Sequence, residues 1–132
     1  MVSKGTGVSV LIAEDETLCS NVLSSLLKSL GAISTVTADG QLCLDEFKTN
    51  PTKYNLILMD ITMPNMDGYQ ATEEIRKINP SIKIVGLTGD DDEETKEKAL
   101  KSGMSSIQKK PVKKADLQAL IKWKLIHTSH YV

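Results

Sequence analysis

Neither sign of charge dominates this chain, cysteine is scarce, and no apolar run is long. Sixteen Lys and Arg against 17 Asp and Glu leave a formal net charge of −1 over 132 residues. That balance gives no overall pull toward phosphate backbones or anionic lipid, so no direct nucleic-acid binding is expected. The apolar run Val8 to Ala13 is too short for the apolar region of a signal peptide and meets acids at once. No stretch is long enough to span a bilayer, so no membrane insertion is expected and a cytoplasmic location is. The two cysteines, Cys19 and Cys43, fall in separate helix-like segments without a CxxC spacing. Reduced, buried or half-buried thiols fit that better than a disulfide or a metal site. His127 and His130 have a ligand-like spacing without a nearby third ligand, and the tail HTSHYV reads as a frayed end. No internal repeat or linker is visible. The glycines of GTG at Gly5 precede the first apolar run, and no glycine-rich phosphate loop follows it, which argues against a nucleotide-binding module.

What is present is an average globular composition, 40% hydrophobic and 25% charged, enough for a real core. One domain over residues 1–132 is expected, with its core over about 8–126 and flexible termini. Five apolar, partly β-branched runs read as strands: VSVLIA from Val8, ISTVT from Ile33, NLILM from Asn55, KIVGL from Lys83 and SIQ from Ser106. Longer segments between them have helical spacing. In the first, Leu18, Val22, Leu26 and Leu30 recur every four residues beside Leu23 and Leu27, a wide apolar stripe. Gly31 and Gly103 stand where a left-handed residue closes a helix, and Pro80 stands just past Ile78, where a helix cannot easily continue. The last helix, roughly Lys114 to Ile126, carries Leu117, Leu120, Ile121 and Leu125 on one side. The fourth, Glu93 to Ser102, offers only Ala99 and Leu100, so it is expected to be loosely held. The acidic run Asp90 to Glu94 reads as a solvated helix start whose charges complement the dipole.

Alternation of strand and helix predicts a doubly wound α/β fold, a parallel sheet wrapped by helices on both faces, because parallel neighbours need right-handed crossovers. All strands of such a sheet point one way, so residues just after them share one edge, where ligands bind. Glu14 and Asp15 follow the first strand, Asp60 the third, Thr88 the fourth, and Lys109, Lys110 and Pro111 the fifth. Singly, each has a plain structural explanation: helix starts and turns for the acids, a β-branched strand residue, surface lysines. Together they converge on one crevice. Three carboxylates about 5 Å apart at an effective dielectric near 20 repel by roughly 3 kcal/mol per pair, so something positive must compensate. Hard oxygen ligands suit Mg²⁺, and Lys110 adds a point charge of the same sign. A carboxylate can itself take a phosphoryl group, and phosphoryl transfer needs mainly positioning and charge neutralisation.

AEDE at Ala13, LMDITMPNMDGY at Leu58, LTG at Leu87 and KKPV at Lys109 resemble the receiver domain of two-component response regulators, over about Val8 to Ile126. Four separated motifs in the right order make the resemblance specific. It implies a flavodoxin-like (βα)5 fold with a five-stranded parallel sheet in the order 2-1-3-4-5. It also implies that Asp60 is the phosphoacceptor, supplied by a phosphohistidine on a histidine kinase or a histidine phosphotransfer protein. Glu14, Asp15, Asp60 and the backbone carbonyl of Thr62 would hold Mg²⁺, Asp15 directly and Glu14 through water. Lys110 would contact the phosphoryl group, the amides of Thr62 and Gly89 would donate to it, and Thr88 would be the switch hydroxyl. The bond before Pro111 matches one that is typically cis. Ile107 departs from the family's Tyr or Phe, which leaves no aromatic rotamer flip and routes any signal through loop movement and the fourth helix. Gly89 adds backbone freedom before that helix.

On this reading the chain is no enzyme: it promotes only its own phosphorylation and dephosphorylation. It is expected to be monomeric in isolation, either a free-standing regulator or, as its motif style suggests, a piece of a hybrid histidine kinase. Two alternatives stand beside it. Haloacid dehalogenase-like phosphatases also place a nucleophilic aspartate after a parallel strand, but they want a second acid where this chain has Thr62, and the chain is short for a cap domain. A pseudo-receiver that never takes phosphate would keep the fold but has no need of Glu14, Asp15, Asp60, Thr88 and Lys110.

Overall fold

Every one of the five apolar runs forms a strand in the computed structural model, which describes residues 6–129, with side chains as far as Trp123. The elements are β1 Ser9–Ala13, α1 Thr17–Ser29, β2 Ile33–Thr37, α2 Gly40–Thr49, β3 Leu56–Asp60, α3 Gly68–Ile78, β4 Lys83–Thr88, α4 Glu93–Ser102, β5 Ser106–Lys109 and α5 Lys114–Ser129. The strands form one parallel sheet in the order β2-β1-β3-β4-β5. Central strands β1 and β3 are buried at every position, as expected of strands covered on both faces.

Strand residues alternate between two cores. Leu11, Ala13, Ile57 and Met59 face Phe47, Ala71 and Ile75 of α2 and α3. Val10, Ile12, Leu56 and Leu58 face Leu23, Leu27, Leu117 and Ile121 of α1 and α5. Gly31 and Gly103 take the expected positive φ after α1 and α4, and α3 ends at Ile78, before Pro80.

The apolar stripe predicted for α1 needs correction. The helix buries Leu23 and Leu27, while Leu18 is 75% and Val22 48% exposed and Leu26 and Leu30 are half-buried. A strict four-residue spacing drifts by about 40° per step around a helix of 3.6 residues per turn, so that row winds off the sheet toward its N-terminal end. Another correction is of one residue: Asp60, Thr88 and Lys109 are the last residues of their strands rather than the first beyond them.

Helix α4 is as thinly packed as expected, and more so, because Leu100 is 63% exposed and Ala99 is the apolar side chain it buries. Its support comes from elsewhere. Asp92 caps its N-terminus through the Thr95 amide, and Glu–Lys pairs 93–96, 94–98 and 97–101 run along it. At its C-terminal end the Arg76 guanidinium donates to the Gly103 carbonyl at 2.8 Å and reaches Ser105 Oγ at 3.5 Å. In α5, Leu117 and Ile121 are buried and Leu120 half-buried; Leu125, His127 and His130 lie outside the residues whose side chains are described. No described helix is long and apolar enough to cross a membrane.

Candidate functional site

The C-terminal ends of β1, β3, β4 and β5 meet along one edge of the sheet, and the predicted residues gather there. Glu14, immediately past β1, is 2% exposed; its amide continues the β1–β2 ladder to the Thr37 carbonyl, and its carboxylate accepts from the Glu16 amide at 3.2 Å. Asp60, 5% exposed at the tip of β3, accepts from the Thr62 amide at 3.2 Å. Between them stands Lys110, whose ammonium is 2.9 Å from Glu14 Oε1 and 3.1 Å from Asp60 Oδ2. Its amide donates to the Thr88 carbonyl, and the Lys110–Pro111 bond is cis. Asp15 is exposed beside the pair, and one carboxylate oxygen each from Glu14, Asp15 and Asp60 lie within 4.8 Å of one another. Three hard oxygen donors with no sulfur or imidazole among them suit a hard divalent cation such as Mg²⁺.

Burial, and after it the hydrogen bond and negative charge of Glu14, push Asp60 up to about 6 against the pull of Lys110. For Glu14, burial alone would raise it. Hydrogen bonds to Lys110, Asp60 and the Glu16 amide, with the lysine charge, outweigh that and hold it below the usual carboxylate range. Lys110 is likewise pushed down by burial but held above its ordinary value by hydrogen bonds to the two acids. The site is thus two buried carboxylates competing for one ammonium.

Thr88, buried at the end of β4, engages its hydroxyl with Asp90: it donates to the Asp90 carbonyl at 2.8 Å and accepts from the Asp90 amide at 3.0 Å. Gly89 follows, with nothing beyond its own chain neighbours within 4 Å of where a side chain would begin. Ile107 is half-buried, packed against the core face that holds Ile61 and Met104. The loop from Asp60 to α3 depends on Gly68: a Cβ there would strike the Asp60 carbonyl and come within 2.9 Å of Ile61 Cα, and the Gly68 amide bonds the Ile61 carbonyl at 3.0 Å. Across the loop tip, Asn65 donates to Asp39 at 2.8 Å.

Beside the site an apolar groove of about 370 Å³ runs between α1 and the start of the segment before α5, lined by Leu18, Cys19, Val22, Pro111 and Val112 with Glu14 and Lys110 at its head. Sequence reasoning missed the Arg76 clamp and the Asp39–Asn65 bond. Asp39 before Gly40 does carry a helix-cap signal, but its partner lies 26 positions away, which no local pattern reveals.

The family model of the response regulator receiver domain matches residues 10–122. The chain is 38% identical over 112 residues to the transcription factor SKN7 of Candida albicans, which covers 85% of this chain and 20% of that protein. It is 38% identical over 130 residues to the peroxide stress-activated histidine kinase mak1 of Schizosaccharomyces pombe, covering 94% of this chain and 8% of that one. It therefore spans a fifth or less of the length of these curated relatives. Among solved structures it is similar to the receiver domain of the sensor histidine kinase PA1611 of Pseudomonas aeruginosa, at 33% identity and a TM-score of 0.81, covering 90% of this chain and 98% of that one. That receiver has a magnesium ion coordinated in its active-site cleft.

Proposed function

This chain belongs to the response regulator receiver family, and on that premise we propose that it takes a phosphoryl group from a phosphohistidine onto Asp60 and shifts conformation in response. The observation that carries the reading is the sharing of one ammonium, on Lys110, between the buried carboxylates of Glu14 and Asp60. An Asp60 oxygen attacks phosphorus; the donor's N–P bond breaks, an O–P bond forms, and the imidazole nitrogen leaves with the electron pair. Lys110 moves from the carboxylates onto the phosphoryl oxygens. The amides of Thr62 and Gly89 donate to the same oxygens. Glu14, Asp15, Asp60 and the Thr62 carbonyl would hold Mg²⁺, Asp15 directly and Glu14 through water; when bound, the ion neutralises charge on the group in transfer.

Conformational change follows from Thr88. To reach a phosphoryl oxygen its hydroxyl must abandon Asp90, which frees the loop entering the thinly packed α4. With Ile107 in the aromatic position, the loop and α4 carry the signal. The donor is a histidine kinase or a histidine phosphotransfer protein, and the groove flanked by Leu18, Val22, Pro111 and Val112 suits an apolar helical face that brings phosphohistidine to Asp60. The chain acts as a monomeric, cytoplasmic receiver in a single domain, without nucleic-acid contact of its own, either free-standing or within a hybrid kinase.

Incubation with acetyl phosphate and MgCl₂, followed by intact-mass analysis, tests the reading. One phosphoryl group per chain, mapped to Asp60 and absent from Asp60→Asn, is expected. Sustained turnover of acetyl phosphate would mean a phosphatase instead, and no label at all a module that never takes phosphate. Hydrogen exchange with a beryllofluoride mimic is expected to alter protection over residues 90–102; equal protection would remove the switch.

A further inference from the structure

Asn65 is the one residue other than glycine with a positive φ among the described residues, at 67°. Left-handed backbone costs an L-residue about 1 kcal/mol, and glycine would hold it more cheaply. What asparagine adds is a side-chain amide, and that amide donates to Asp39 Oδ2 at 2.8 Å. The other oxygen of Asp39 is already engaged, accepting from the Leu42 amide at 2.8 Å as the N-cap of α2. A cap needs one acceptor, which serine supplies as well; the second carboxylate oxygen is spent on the loop. Next to this bond the backbones also touch, because a Cβ on Gly40 would strike the Met66 carbonyl. The loop from Asp60 to α3 is therefore tied at its base, Gly68 to Ile61, and at its tip, Asn65 to Asp39. Thr62, exposed and bonded through its amide to Asp60 Oδ1, lies between the two ties.

We propose that Asp39 and Asn65 are positioning residues for the Asp60 site: their hydrogen bond pins the loop tip to the start of α2 and thereby fixes the Thr62 backbone beside the phosphoacceptor. The inference rests on the functional reading above, in which the Thr62 carbonyl is a metal ligand and its amide a phosphoryl donor. Neither residue reaches the reacting atoms; they act by limiting how far Thr62 can move.

Three variants of the full chain separate positioning from simple stability. Asp39→Ser keeps the α2 cap and removes the tether. Asn65→Gly keeps the positive φ and removes the tether from the other side. The reciprocal exchange, Asp39→Asn with Asn65→Asp, rebuilds one donor and one acceptor across the same gap, and the asparagine it introduces caps α2 as well as the aspartate it replaces. Mg²⁺ affinity is measured by calorimetric titration with MgCl₂, and amide exchange over residues 61–66 is followed in the metal-free protein. Both single variants are expected to weaken Mg²⁺ binding about tenfold, as loss of support behind a metal ligand commonly does, with faster exchange in the loop and a thermal midpoint close to the parent for Asp39→Ser. The reciprocal pair is expected to restore both readouts to within about twofold, well inside the loss it repairs. Single variants that match the parent in affinity and exchange overturn the proposal, as does a reciprocal pair no better than either single change. A parent chain that fails to bind Mg²⁺ at all overturns the functional reading beneath it, and the positioning role with it.

Discussion

Replacing Asp60 with asparagine removes a carboxylate that the folded chain resists ionising. Burial and the Glu14 charge raise the Asp60 carboxyl from 3.8 to about 6, and each unit is equivalent to about 1.4 kcal/mol. At about pH 7.5 the ionised form therefore destabilises the metal-free fold by about 3 kcal/mol relative to an unperturbed aspartate. The sign follows from proton binding. With its folded pKa above its unfolded value, Asp60 contributes stability that is fully present below about pH 4 and is lost as pH rises through about 6. Asparagine keeps the shape without the charge, but it surrenders the attraction to Lys110, so a gain of about 1–3 kcal/mol is expected in EDTA at neutral pH. Urea unfolding across that pH range measures it. The advantage of Asp60→Asn should shrink as pH falls toward 4, and Mg²⁺ should narrow it again, because binding at about one hundred times Kd stabilises the parent by about 2.7 kcal/mol and the variant has lost a ligand. A variant less stable than the parent at neutral pH in EDTA, or a difference indifferent to pH, would refute the account of two carboxylates competing for one ammonium.

Lys110→Met leaves the Glu14–Asp60 pair uncompensated, and a loss of about 3 kcal/mol at neutral pH is expected by urea unfolding, recovered in large part below the Asp60 pKa. Gly68→Ala forces a Cβ onto the Asp60 carbonyl and Ile61 Cα; since backbone cannot yield cheaply, a loss of about 2 kcal/mol or more and slower labelling by acetyl phosphate are expected. Arg76→Met, which keeps the aliphatic stem and deletes the bonds to Gly103 and Ser105, is expected to cost about 1–2 kcal/mol and to speed amide exchange in Glu93–Ser102 more than elsewhere.

Strand order and the gathering of Glu14, Asp15, Asp60, Thr88 and Lys110 were legible because short apolar runs, turn residues and four family motifs all point to the same sheet edge. The α1 stripe misled because spacing by fours marks a row without saying which face the sheet takes. Burial chose Leu23 and Leu27 and left Leu18 and Val22 outside, and those two then line the groove beside the site. What stayed hidden were polar ties between distant segments. Arg76 to Gly103 spans 27 positions and Asn65 to Asp39 spans 26; such bonds depend on how elements pack, and neither residue type announces its partner. The direction of the Thr88 hydroxyl was equally unreadable, since its bonds to the Asp90 backbone depend on how the loop after β4 turns.

Helix α4 carries its own scaffolding in three Glu–Lys pairs and a capping aspartate, and it spends little on the protein beneath. Such an element can slide or tilt as an intact rod, without melting. Because Ala99 is its buried apolar side chain, that displacement would uncover little oily surface, so it would leave almost no trace in heat capacity. Calorimetry would overlook a movement that a pair of spectroscopic labels, one on the rod and one on the sheet, would register at once.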